Sequence, residues 1–178
     1  AAHFLAVADA TGLPIMTYDI PGRTGTPIAP ETFERIAEHP RIVANKDAKA
    51  DVAASASVIA RTDLAWYSGD DALTLPFLSV GAVGVVSVVG HLLGSRISRM
   101  MAAHRAGDIS TATTLNASMI PAYVGIFRTQ AAILTKAALA ERGLPGGPVR
   151  LPLVEATPEQ RAQLRADLAA ADVAGFRA

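Results

Sequence analysis

The sequence predicts an α/β fold: parallel β/α units up to about residue 92, followed by an all-helical segment. Three observations carry this. Four short apolar runs occur, Ile15-Met16-Thr17-Tyr18, Ile42-Val43-Ala44-Asn45, Leu64-Ala65-Trp66-Tyr67-Ser68 and Val85-Val86-Ser87-Val88, with polar or glycine residues at or near their ends. They recur at intervals of about 20–28 residues with helical patterns between them, the spacing of β/α units. The runs are continuously apolar rather than alternating, as in a parallel sheet covered on both faces.

Each element has a local reason. His3 to Ala10 reads as a helix closed by Gly12. Pro30 and Glu31 open a second, with Phe33, Ile36 and Ala37 on one face. Asp51 caps a third, with Val52, Ala56 and Ile59 or Ala60 inward. Asp71 opens a fourth, with Leu75 and Leu78 inward. After about residue 92 no further strand is expected. Ser95 starts a helix through Ile97, Met100 and Met101, and Asp108 starts another through Ala112, Leu115 and Met119. A third begins at Pro121 or Arg128 and closes at Gly143. Thr157-Pro158-Glu159-Gln160 supplies cap, N1 proline and N3 partner for the last. The expected division is residues 1–92, a half-barrel with a preceding helix, and 93–178, the last barrel helix and a helical domain.

Composition narrows the function. Of 178 residues 51% are apolar and 18% charged, enough to bury a core. Sixteen basic residues balance sixteen acidic ones, which gives no attraction to nucleic acid or an anionic membrane. Without cysteine there is no disulfide, zinc–thiolate or thiol chemistry, as fits a cytoplasmic protein. No signal peptide is visible, and the start at Ala1-Ala2-His3-Phe4 reads as a fragment or processed chain. Residues 72–90 are uncharged, but Pro76, Gly81, Gly84 and Gly90 break them, and the β-branched run Val85–Val89 reads as a buried strand rather than a membrane span.

Parallel β/α units build either an open doubly wound sheet or part of an eight-stranded barrel. No glycine-rich phosphate loop follows a strand, which weakens the first. In a barrel the chemistry gathers at the C-terminal strand ends. Here those ends offer Tyr18, Lys46 and Ser68-Gly69-Asp70-Asp71. A lysine desolvated in a barrel mouth loses its proton more easily, and a neutral amine can form a Schiff base with a ketone. An exposed lysine just past a strand is the alternative. Tyr18, one strand away, could move protons there or simply pack at the rim. The Pro21-Gly22 turn could fold Arg23 back to grip a carboxylate, or leave it on the surface. Gly69 allows close backbone approach to a ligand. Asp70 and Asp71 could suit a metal, but no third carboxylate completes a cage, and Asp71 is equally a helix cap. His3, His39, His91 and His104 form no ligand pair, while Trp66 and Tyr67 read as packing.

Together, Tyr18-Asp19-Ile20-Pro21-Gly22-Arg23-Thr24-Gly25, Lys46-Asp47-Ala48, Tyr67-Ser68-Gly69-Asp70-Asp71-Ala72-Leu73 and Gly84-Val85-Val86-Ser87-Val88 resemble the dihydrodipicolinate synthase family of pyruvate-dependent class I aldolases, in its actinobacterial form. The resemblance covers nearly the whole chain. It implies the C-terminal half of a TIM (β/α)8 barrel plus a helical domain. It implies condensation of pyruvate with aspartate semialdehyde, in lysine and diaminopimelate biosynthesis, in a homotetramer or dimer, with no metal or organic cofactor. By the same resemblance Lys46 forms the Schiff base, Tyr18 relays protons, Arg23 holds the semialdehyde carboxylate, and Val86 and Gly69 line the pyruvate site. Arg23 separates this family from related sialic-acid and keto-deoxy-sugar aldolases.

The departures are also specific. Family members are longer at the N-terminus by about half a barrel, which carries the paired threonines of the proton relay, an interface tyrosine and the lysine-feedback site. The chain is therefore expected to be truncated and inactive alone. Ala44-Asn45 stands where a glycine and an aliphatic residue usually precede the lysine. Two other readings are a different lysine-dependent aldolase or lyase of the superfamily and a non-catalytic half-barrel that only oligomerises.

Overall fold

A computed structural model describes residues 1–176. The chain divides into two compact units, Ala1–Val86 and a second from Ser87 onward. In the first, helix α1 (Ala2–Ala10) leads into strand β1 (Ile15–Asp19), followed by the one-turn helix α2 (Pro21–Thr24) and by α3 (Pro30–Ala37). Strand β2 (Ile42–Asp47), helix α4 (Val52–Ile59), strand β3 (Ala65–Ser68), helix α5 (Thr74–Ser79) and strand β4 (Gly84–Val85) complete it. The four strands pair in chain order and all in parallel. That is the arrangement successive β/α units must produce, since each helix crosses over to return the chain to the same end of the sheet.

Register fixes which side chains share a face. Tyr18, Lys46, Tyr67 and Gly84 lie in one row across the sheet, with Met16, Ala44 and Ala65 in another row on the same face. The intervening rows, Thr17–Asn45–Trp66 and Asp19–Asp47–Ser68–Val85, belong to the opposite face. That second face is the covered one. Trp66 is buried in a cluster with Phe33, Ile36, Val58 and Phe77 from the helices, its ring 5.0 Å from that of Phe33. At about 25 cal/mol per Å² of apolar area removed from water, such burial favours this layer. Between Ile15 and Met16 the register shifts: Ile15 pairs with Ile42 but Met16 with Ala44, so Val43 is an extra, unpaired residue in β2. This is the geometry of a β-bulge.

The helix ends follow the local chemistry. Asp51 accepts the Ala54 N–H at 2.9 Å and caps α4, while Pro30 opens α3 with Glu31 in its first turn and Arg35 in its last. The second unit is helical: α6 (Gly90–Arg105), α7 (Ile109–Ile126), α8 (Ala131–Glu141) and α9 (Pro158–Ala170). Asp108 caps α7 through the Thr111 N–H, and Thr157 with Gln160 forms the expected reciprocal capping box on α9. Met100, Met119, Ile126, Leu134, Leu164 and Leu168 are fully buried. Among the described residues no helix is long and apolar enough to cross a membrane.

Several boundaries differ from expectation. Strand β4 is only Gly84–Val85; the run through Val89 does not continue it. The Ser87 hydroxyl instead accepts the Gly90 N–H at 2.6 Å, and Val89, fully buried, has helical backbone angles at the N-cap of α6. Helix α6 thus begins at Gly90 rather than Ser95, with a kink at Leu93. Asp71 does not cap α5, which starts at Thr74. Asp70 accepts the Ala72 N–H in a preceding turn, and Thr74, Phe77 and Leu78 are buried rather than Leu75. In α4 Ser55 and Val58 are the fully buried residues, while Val52 and Ile59 pack partly buried against the same core, as expected. Helix α1 ends at an extended Thr11, without a left-handed glycine at position 12. Pro121 lies inside α7, so no helix starts there. Buried Met119, Ala122 and Tyr123 on both sides of the proline outweigh the one hydrogen bond it cannot make.

Asn45 is fully buried on the covered face. Its side-chain oxygen accepts the Thr17 hydroxyl at 2.8 Å, but its amide nitrogen has no hydrogen-bond partner. Rotating the amide by half a turn would leave the oxygen orphaned instead. One polar group is unsatisfied either way, at a desolvation cost of about 1–3 kcal/mol. The Thr17 hydroxyl keeps a second acceptor, the Ala44 carbonyl at 3.3 Å. Asn45→Val is therefore expected to stabilise the chain by about 1 kcal/mol, read as a higher urea midpoint; a lower midpoint would show that the amide contributes more than it costs.

Candidate active site

Strand β1 delivers Tyr18 and β2 delivers Lys46 to directly paired positions, and the Lys46 ammonium nitrogen lies 4.3 Å from the centroid of the Tyr18 ring. That distance is within range for attraction between a cation and the ring face. Lys46 is half-buried and Tyr18 is 44% exposed, so the amine stands at a rim a small molecule can reach. Gly69, just after β3, approaches the same lysine. A Cβ there would lie 3.0 Å from Lys46 Cε, from Ala48 Cβ and from the Asp47 carbonyl oxygen. The Gly69 N–H donates to that carbonyl at 2.6 Å. Because one of the three obstacles is backbone, Gly69→Ala is expected to cost about 1–3 kcal/mol, measured by denaturant titration; an unchanged midpoint would show that the β2–β3 ends separate freely.

Val86 is not in the strand as expected, but its N–H donates to the Ser68 carbonyl at 2.9 Å, which fixes it beside the end of β3. Arg23 occupies the last turn of α2 on an exposed loop. Its guanidinium makes no hydrogen bond or ion pair with any described residue. The structure thus brings together Lys46, Tyr18 and Gly69, ties Val86 to the neighbouring strand, and leaves Arg23 free at the end of β1. Among the described residues no cluster of three or more histidine, aspartate or glutamate side chains is placed to hold a metal ion.

Behind this row lie two carboxylates that strand patterning does not single out. Asp47, fully buried, accepts hydrogen bonds from the Lys49 N–H (2.8 Å), the Ser55 hydroxyl (2.5 Å) and the Trp66 indole N–H (3.2 Å). One carboxylate next to Lys46 therefore binds β2 to α4, to β3 and to its own following turn. Asp19, next to Tyr18, is also buried; it accepts the Ile28 N–H at 3.0 Å and faces the Lys49 ammonium at 3.6 Å. Burial pushes the Asp19 carboxyl above its ordinary value, and the Ile28 hydrogen bond and Lys49 oppose that. The available signal was carboxylates one residue beyond the paired Tyr18 and Lys46, inside otherwise apolar strands.

Comparison with known proteins gives the family. The model of the dihydrodipicolinate synthetase family matches residues 1–171. The chain belongs to that family. Among curated relatives, the 4-hydroxy-tetrahydrodipicolinate synthase of Acidothermus cellulolyticus is 61% identical over 175 residues, 98% of this chain and 57% of the relative. The 4-hydroxy-tetrahydrodipicolinate synthase 2 of Streptomyces coelicolor is 57% identical over 96% of this chain and 57% of its own length. The chain therefore spans little more than half the length of the curated synthetase-family members it matches. A crystal structure of the enzyme from Cyanidioschyzon merolae with lysine bound superposes with a TM-score of 0.93 at 43% identity, over 96% of this chain and 59% of that one. A chloride-inhibited synthase from Acinetobacter baumannii complexed with pyruvate gives 0.89 at 32% identity, over 97% and 60%. The fold is accordingly the expected one for the family, parallel β/α units of a half-barrel followed by a helical segment.

Proposed function

We propose that Lys46 forms a Schiff base with pyruvate, and that the protein of which this chain is all or part is a 4-hydroxy-tetrahydrodipicolinate synthase condensing pyruvate with aspartate semialdehyde. The observation that carries this is the Lys46 amine set over the Tyr18 ring at the end of paired parallel strands. In this reading the amine attacks the pyruvate keto carbon and water leaves, so that the iminium can accept the electrons released when the methyl carbon loses a proton. The resulting enamine carbon attacks the aldehyde. The Tyr18 hydroxyl transfers protons as the imine forms and the ring closes. Arg23 takes the semialdehyde carboxylate, and its lack of an internal partner leaves the guanidinium available for two-point binding. Gly69 and Val86 line the pyruvate side. Residues 1–92 carry this chemistry and 93–178 the helical domain, in the cytoplasm.

The test is to incubate the chain with pyruvate and borohydride and weigh it. The expected product gains one pyruvic acid less one oxygen atom, mapped to Lys46; folded protein with no such gain would refute the reading. The same reading takes the protein to self-associate. Met16, Val43 and Val83 expose apolar surface on the first unit, and native mass measurement is expected to find dimers or larger species.

A further inference from the structure

The geometry points to Lys49 as a positioning residue that, through its ion pair with Asp19, holds the Lys46 amine against the Tyr18 ring. The inference takes its chemical consequence from the Schiff-base reading but rests on contacts that exist without it. Lys49 is the second lysine of the 46–49 stretch, and its side chain is only 14% exposed. It is held at two points. Its N–H donates to Asp47, and its ammonium lies 3.6 Å from an Asp19 carboxylate oxygen that has no hydrogen-bond partner. Ala48, between them, donates its N–H to the Asp19 carbonyl at 2.8 Å. The turn after β2 is thereby fastened to the end of β1 by one backbone bond and one charge.

The position of that fastening is what matters. Asp19 follows Tyr18, Asp47 follows Lys46, and the two aspartates are paired across β1 and β2 on the covered face. Both are buried, and among the described residues Lys49 is the cation beside Asp19. Without the Lys49–Asp19 pair the turn after β2 loses its charged fastening to the end of β1, and removal of Lys49 in addition leaves the two buried carboxylates facing each other at the level of the reactive row. The strand ends would then move apart or admit water, and the Tyr18–Lys46 contact is the first to be altered. A misplacement of about 1 Å at a reacting group can cost up to about a hundredfold in rate.

The chain contains Lys46, Lys49 and Lys136 and no other lysine, so its amines can be followed individually. Reductive methylation with carbon-13 formaldehyde gives each a separate NMR signal, and Lys46→Arg assigns the one at the site. In the unsubstituted chain the Lys46 methyl signal is expected to be displaced by the Tyr18 ring current. Lys49→Met and Asp19→Asn are expected to return it to the position of an unstacked lysine, leaving the Lys136 signal and the far-UV circular dichroism unchanged, while Lys49→Arg retains the displacement. Pyruvate trapping by borohydride is expected to slow about tenfold in Lys49→Met and to stay within about twofold in Lys49→Arg. A Lys46 signal that is undisplaced in the unsubstituted chain, or unmoved in folded Lys49→Met, overturns the inference. If Lys49→Met does not fold, the nearly isosteric Asp19→Asn decides alone. Failure to trap pyruvate with a Lys49-dependent displacement intact would remove the Schiff-base reading and leave the positioning role standing.

Discussion

Lys46→Arg is expected to abolish the pyruvate adduct trapped at this site. Arginine keeps the positive charge and much of the length, so the contact with Tyr18 can survive. A guanidinium does not lose its proton in proteins, however, and offers no nucleophilic nitrogen. The remaining lysines are poorly placed to substitute. Lys49 is held at Asp19, and Lys136 donates to the Gly146 and Pro148 carbonyls at 2.8 and 2.9 Å. The N-terminal amine could react slowly, and for that reason the adduct must be mapped by peptide. An adduct retained in the variant and located elsewhere in the first unit would move the chemistry away from this row.

Gly125→Ala is expected to cost about 3 kcal/mol, which for a chain of this length lowers the melting temperature by about 10 °C. A Cβ on Gly125 would fall 2.6 Å from Asp167 Cβ, an atom fixed to the α9 backbone that cannot swing away. Helix α7 would have to withdraw from α9. Asp167 is itself held there by two hydrogen bonds from Arg128, at 2.6 and 2.9 Å, and one from Gln163 at 3.1 Å. A melting temperature within a degree or two of the parent would show that the two helices slide without loss.

The same contact gives a pH dependence. Arg128 first, and Gln163 to a smaller extent, hold the Asp167 carboxyl below its ordinary value. A group depressed in the folded state contributes stability that is present above its unfolded value, about 3.9, and lost as pH falls through the folded one. Asp19 acts in the opposite sense. Its carboxyl is raised by burial, so folding is relieved of a buried charge as pH falls. Urea midpoints between neutral and acid pH should therefore separate them: Asp167→Asn is expected to lower the neutral midpoint and flatten the acid fall, whereas Asp19→Asn does not flatten it.

Much of this was legible in the sequence because it depends on neighbours along the chain. Asp51, Asp108 and Thr157 cap helices through N–H groups three residues away, and each read correctly. Lys46 and Tyr18 read as strand-end groups because their strands are plain apolar runs. What did not read depends on tertiary burial. Val86 to Val89 have strand composition, yet Val89 goes into a helix start because that is where it can be buried. Asp47 shows in the sequence only as a carboxylate beside Lys46, because its partners, Ser55 and Trp66, arrive from other elements. The facing of β2 was hidden too. Simple alternation would put Ile42 and Lys46 on one side, whereas Ile42 lies in the covered core and Lys46 sits opposite Tyr18.

Val43 resolves that parity, and it also makes β2 tolerant of shortening in one direction only. Because it has no partner on β1, a chain lacking it can draw straight with Ile42 still opposite Ile15 and the amine still level with the phenol. A chain lengthened by one residue between Ala44 and Lys46 has no such slack, and would slide the amine to the height of Asp19. Related genes should therefore differ by loss at this point far more readily than by gain.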